Sequence, residues 1–127
     1  MNGTSSNKTF FGFAVADSMF SGDVEISRSQ VPAETAKKII GSGVVPCLNP
    51  SHVATIQAAK ARFGIEVEIP EKPPQVSLLA GDRLLVMSVR GLPRLTDRHE
   101  YTEEEIENAS FSFSLYEVTR QLTTADE

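Results

Sequence analysis

The sequence has no tryptophan and a single cysteine, Cys47. One cysteine excludes an intramolecular disulfide, so a reducing compartment, the cytoplasm, is the expected location. No apolar run approaches the roughly 20 residues that span a bilayer, and no membrane partner is expected. Met1–Thr9 is polar and lacks the apolar stretch of a signal peptide. Basic residues are the minority: 12 Lys and Arg against 17 Asp and Glu give a formal net charge of −5. That balance argues against the broad basic surface used for duplex nucleic acid. It leaves room for a small anion in a local basic pocket. The two histidines, His52 and His99, lie scattered relative to Cys47, so no zinc spacing arises and no metal or cofactor is expected. A Walker A motif, a dinucleotide glycine fingerprint and a Gly-x-Ser-x-Gly elbow are all missing. Internal repeats and low-complexity segments are missing too.

What is present fits one domain: 127 residues, 40% hydrophobic and 23% charged. Phe10–Ala16 and Val24–Ile26 suit strands, paired with each other. Pro32–Ser42 reads as a helix closed by Gly41 or Gly43. Val44-Val45 suits the start of a short strand. Asn49-Pro50 places an N-cap and an N1 proline before a second helix that runs to Phe63 and is closed by Gly64. Ile65–Ile69 and Val76–Leu79 are strand-like around a proline-rich turn, and Arg83–Val89 has the longest buried-strand pattern. Thr102 with Glu105 three residues on is a capping box for a short helix to Asn108. Phe111, Phe113 and Leu115 then alternate with polar residues as a strand buried mainly on one face would. The fold class expected is α/β, a single domain with a mixed β-sheet flanked by helices.

Two segments could carry chemistry. In Asn49-Pro50-Ser51-His52-Val53-Ala54-Thr55, His52 falls in the first helical turn, beside backbone N–H groups and the positive end of the helix dipole. An imidazole there could act as general acid or base towards a phosphate ester, with the Thr55 hydroxyl on the same side. The plainer alternative is a helix-end histidine with no task. The second segment is Arg90–His99, whose Arg90, Arg94 and Arg98 make it the most basic loop of an acidic protein. Guanidinium forks suit phosphate oxygens, and Asp97 could orient one of them. Here the plainer alternative is a solvated loop with weak surface ion pairs.

The order of these features resembles the viral type III anti-CRISPR ring nucleases, small dimeric α/β proteins of archaeal viruses, phages and mobile elements. That family opens a helix with Gly-His-x-Ser-Thr and ends it with Leu-Gly-Val. The matching stretches are Ser51-His52-Val53-Ala54-Thr55 and Phe63-Gly64-Ile65. A strand like Gly-Asp-x-Leu-Leu-Val follows, here Gly81-Asp82-Arg83-Leu84-Leu85-Val86. Arg-Leu-Pro-Glu is matched by Arg94-Leu95-Thr96-Asp97, and the Ser-x-Glu-Glu helix start by Thr102 to Ile106. The closing strand, with its Leu-x-Glu-Val end, is matched by Phe111 to Leu115-Tyr116-Glu117-Val118. The resemblance covers roughly residues 10–118. It implies a ring-nuclease-like domain at 9–120 between disordered tails at 1–8 and 121–127, assembled as a two-fold homodimer.

By the same resemblance the ligand is cyclic tetra-adenylate, bound across the dimer, covered by a loop and cleaved without metal to disarm type III CRISPR immunity. The catalytic histidine falls on His52, the active-site arginine on Arg94 and its acidic partner on Asp97. Ser18, Ser51, Thr55, Arg90 and Arg98 are the expected ligand-binding residues. The chain departs from the pattern at Ser51, Ala54, Asp97, Arg98 and Val15, where the family has Gly, Ser, Glu, Gly and often Asn. Loss of the hydroxyl at Ala54 keeps open an alternative, a non-catalytic sponge for a cyclic nucleotide or related signal. A protein or nucleic-acid binding module on the same fold is the third.

Overall fold

The apolar run Leu84–Met87 forms the centre of the sheet, where every one of its side chains is buried. The computed structural model describes residues 7–72, 74–96, 98 and 100–122. Among them, β1 (Thr9–Gly12), β2 (Asp23–Val31), β3 (Val45–Pro46), β4 (Arg83–Arg90) and β5 (Ser110–Leu122) make one five-stranded sheet, ordered β2-β5-β4-β1-β3. β1 lies parallel to both β3 and β4, whereas β5 is antiparallel to β4 and β2. The expected mixed sheet in an α/β domain is therefore present. The expected pairing of the first two strand segments is not: β1 joins β4 and β3, and β2 joins β5.

Alternation along each strand sends side chains to opposite faces. Phe11, Leu85, Met87 and Phe113 point to the face covered by helices α1 (Ala33–Gly41) and α2 (Val53–Phe63), against Ala36, Ile40, Ile56 and Ala59. Phe10, Leu84, Val86 and Val118 point the other way, where irregular chain carrying Met19, Phe20, Val76 and Leu78 covers them. Helices thus flank one face, and loops close the lower part of the other. A short α3 (Glu103–Asn108) packs beside α2.

Neither Ile65–Ile69 nor Val76–Leu79 forms a strand. Ile65, Val67 and Ile69 instead lie in extended chain against the helical core, so burial rather than pairing satisfies their alternation. Leu78 makes one isolated parallel bridge to Phe20. In contrast β2 continues through polar Ser27–Gln30, because β5 offers a ladder along its whole length. β5 itself runs to Leu122, two residues beyond the domain limit expected at 120, and pairs there with Asp23. Of the tails expected at 1–8 and 121–127, residues 1–6 and 123–127 lie outside the described residues, while Lys8 is bonded to Asp82 and Leu122 is paired in β5.

Buried Asp82 fastens the lower edge. Its carboxylate accepts the backbone N–H of Lys8 at 2.9 Å and of Leu79 at 2.9 Å, tying the start of β1 to the turn before β4. Beside it, Gly81 has φ +93°, and a Cβ there would meet the Asn7 side chain at 2.6 Å. Glycine meets both demands.

Candidate active site

Three adjacent parallel strands, β3, β1 and β4, end at the same edge of the sheet. In open α/β sheets the crevice beyond the carboxyl ends of the strands is where ligands bind. After β3 the chain passes Cys47 and Asn49 into a 3-10 turn, Pro50–His52, that leads into α2. After β1 it passes Phe13 into another 3-10 turn, Asp17–Met19, which presents Ser18 to solvent. After β4 comes the loop that starts at Arg90. Topology thus starts the His52 turn and the arginine loop at one edge, although they are far apart in sequence. Ser18 is not brought to them, because the adjoining Met19 and Phe20 pack against Leu78 on the opposite face, beside the turn that precedes β4.

His52 is fixed by a reciprocal cap. Asn49 Oδ1 accepts the Ser51 N–H at 2.9 Å, and His52 Nδ1 accepts the Asn49 N–H at 3.1 Å. The histidine fills the place that a glutamate takes in an ordinary capping box. Phe13 meets its ring edge-on, with centroids 4.8 Å apart. An accepting Nδ1 leaves the proton of the neutral ring on Nε2. The expected α-helix beginning at Pro50 is corrected here, since the α-helix begins at Val53. The change has a chemical consequence. The N–H of His52 bonds Asn49 O at 2.9 Å, Val53 N–H bonds Pro50 O, and Ser51 N–H is capped. Tight 3-10 bonding thereby uses donors that an anion would otherwise take. An anion at this turn would have to be held by side chains. Ser51 Oγ also donates to Asn49 Oδ1, so this hydroxyl serves the cap, and Thr55 sits half-buried in the first turn of α2.

Arg90 and Arg94 are exposed, and among the described residues neither has a carboxylate within salt-bridge distance. Asp97 and His99 lie outside the described residues. Arg98 is held elsewhere. Its two Nη atoms embrace the Glu105 carboxylate, one at 2.7 Å, while Glu105 also takes the Thr102 N–H at 2.9 Å. The Arg98 hydrogen bond, helped by that N–H, holds the Glu105 carboxyl down at about 2. Arg98, an expected ligand-binding residue, therefore anchors the loop's far end to α3.

Sequence reasoning missed Phe13 as the neighbour of His52, because the contact crosses from β1 to β3 and no local pattern announces it. It also missed Arg28, which donates to Tyr116 Oη at 3.1 Å and Ser114 Oγ at 3.0 Å on the sheet face away from the helices. Cys47, half-buried behind β3, has its thiol pushed up by burial. Among the described residues no group of three or more His, Cys, Asp or Glu is placed to hold a metal ion. None of the described helices is long and apolar enough to cross a membrane.

These features define a single-domain α/β protein on a mixed five-stranded sheet, with a capped histidine turn beyond the carboxyl end of one of three parallel strands. The fold is similar to that of B116 of Sulfolobus turreted icosahedral virus, with a TM-score of 0.65 and 16% identity. That likeness covers 87% of this chain and 98% of B116, and at such identity it speaks for the fold alone. The chain matches no family model and no curated protein sequence.

Proposed function

We propose that the chain is a ring nuclease that binds cyclic tetra-adenylate across a homodimer and cleaves it without metal to linear products, countering type III CRISPR immunity. The observation that supports this reading is the capped His52, edge-on to Phe13 beyond the ends of β3 and β1, with β4 leading into the Arg90–Arg94 segment from the same end of the sheet. A two-fold ring suits a two-fold dimer, in which each subunit offers the same patch.

In the reaction a ribose 2′-hydroxyl attacks the adjacent phosphorus and the bond to the 5′-oxygen breaks, leaving a 2′,3′-cyclic phosphate and a 5′-hydroxyl. The 2′-proton leaves to solvent, and His52 as imidazolium supplies the proton that the 5′-oxygen gains. General acid catalysis of this kind contributes about 10²–10⁴-fold. Arg94 stabilises charge on the non-bridging oxygens, and Asp97 positions it. The loop from Arg90 acts as the lid. β4 overruns β1, since Gly12 pairs with Val86 while β4 continues to Arg90. For Arg94 to act with His52, the loop has to fold back across the edge.

One observation favours the second reading, a sponge that binds without cutting. An imidazolium carries hydrogen on both nitrogens, so proton delivery by His52 requires release of the Asn49 N–H. Incubation of the protein with cyclic tetra-adenylate in chelator, followed by denaturation and chromatography, separates the two. Linear di-adenylate that disappears with His52→Ala supports the nuclease; intact ring recovered from a tight complex supports the sponge. No binding removes both.

A further inference from the structure

Behind the proposed site, a cleft of about 300 Å³ opens between α2 and the chain that joins the arginine loop to α3. Ala54, Ala58 and Ala61 of α2 form its floor. Spaced four and three residues apart, they lie on one helix face, and short side chains let a flat group approach the helix. Half-buried Tyr101, from the chain across the cleft, is the one aromatic residue among the described residues of its lining. Three polar side chains reach its rim: the Gln57 amide and the carboxylates of Glu100 and Glu103. Ala54 lies two residues beyond His52, so the cleft adjoins the site just described.

We infer that this cleft binds an adenine base, with Gln57 and Tyr101 determining the base selected. The inference rests on the nucleotide-handling reading of the neighbouring edge. The polar groups match the edge of that base: a carboxylate accepts from the exocyclic amino group, and the Gln57 amide donates to a ring nitrogen. Uracil offers a carbonyl oxygen where adenine offers the amino group, and two acceptors then face each other. The base stacks between Tyr101 and the alanine floor, a contact that tolerates no bulk from the helix side. The acidic rim keeps phosphates out and leaves them to His52 and the arginine loop. Base recognition and phosphate chemistry occupy opposite flanks of the same helix start.

The test uses the full-length protein and 8-azidoadenosine 5′-monophosphate, cross-linked by ultraviolet light and mapped by mass spectrometry. Saturable labelling of Tyr101 or of the Ala54–Ala61 peptide is expected, with adenosine monophosphate competing at least tenfold better than uridine monophosphate. Tyr101→Ala should weaken labelling about tenfold, in line with the loss of one stacking contact. Ala61→Phe, at an exposed floor position, should abolish labelling while the melting temperature is kept. Labelling elsewhere, no saturable labelling, or equal competition by uridine monophosphate would overturn the inference. Cleavage of cyclic tetra-adenylate is scored separately. Labelling in the cleft without cleavage keeps this inference and removes the nuclease; cleavage with labelling elsewhere does the reverse.

Discussion

His52 takes the backbone N–H of Asn49 on its Nδ1, while Asn49 caps the turn that His52 ends. One side chain thus closes a helix start through Nδ1 and leaves its other nitrogen, Nε2, outside the cap. The neutral ring should be the Nε2–H tautomer, which long-range proton–nitrogen correlation spectra report directly. A resting Nδ1–H tautomer would contradict the cap. Asn49→Ala should cost about 1 kcal/mol of stability, the usual worth of an N-cap. It should also slow cleavage, because the backbone N–H that orients the imidazole remains but the turn that holds it loses its side-chain cap.

The Arg98–Glu105 pair predicts an acid response. Glu105 has its folded-state carboxyl at about 2, well below the ordinary value of 4.5. A depressed carboxylate contributes stability above its unfolded value, and the contribution is lost as pH falls through the folded one. Between about pH 4.5 and pH 2 the wild type should therefore lose stability that Glu105→Gln never had. The pair is solvent-exposed, so the difference should be small and should shrink further in high salt. Parallel thermal melts of both proteins across that range, with and without salt, would show it.

Asp82 should matter more. It is buried, and its two carboxylate oxygens satisfy the N–H groups of Lys8 and Leu79. Asp82→Ala strands both donors, at about 1–3 kcal/mol for each that stays dry. Urea unfolding should show a lowered midpoint with an unchanged slope. An unchanged midpoint would mean that water replaces the carboxylate without loss.

Local chemistry made some of this legible in the sequence. Asn49-Pro50 does start a helical segment, Gly64 closes α2 with φ +75°, and Thr102 with Glu105 forms the expected capping box. Each is settled within a few residues by groups that lack partners at a helix end. Strand partnership was not legible. Phe10 pairs with Val45 and Leu84 across long crossovers, and nothing near Phe10 specifies either. Ile65–Ile69 misleads for the converse reason: its alternation is that of a strand, but one face of extended chain can be buried against helices as well as within a sheet. At the site, His52 stands out because a helix-start histidine is a local fact. The commitment of Arg98 to Glu105 is not visible until the loop's path is known.

The last prediction concerns Arg62, which joins α2 to the end of α3. Its Nη1 donates to Ile106 O at 2.9 Å and to Ala109 O at 3.0 Å, and its guanidinium lies over the rings of Phe63 and Phe111. Helix α3 has only six residues, too few to persist by propensity alone. Its start is held by the capping box and Arg98, and its end by Arg62. Arg62→Met keeps most of the packing over the two rings but removes both donors from the carbonyls. Amide exchange over 105–110 should accelerate severalfold, with global stability lowered by about 1 kcal/mol. Because α3 supports one wall of the cleft beside Tyr101, azido-adenine labelling there should weaken in parallel, while the His52 tautomer stays as it is. If exchange over 105–110 is unaltered, α3 is held by its start alone, and the two carbonyl bonds contribute nothing to its persistence.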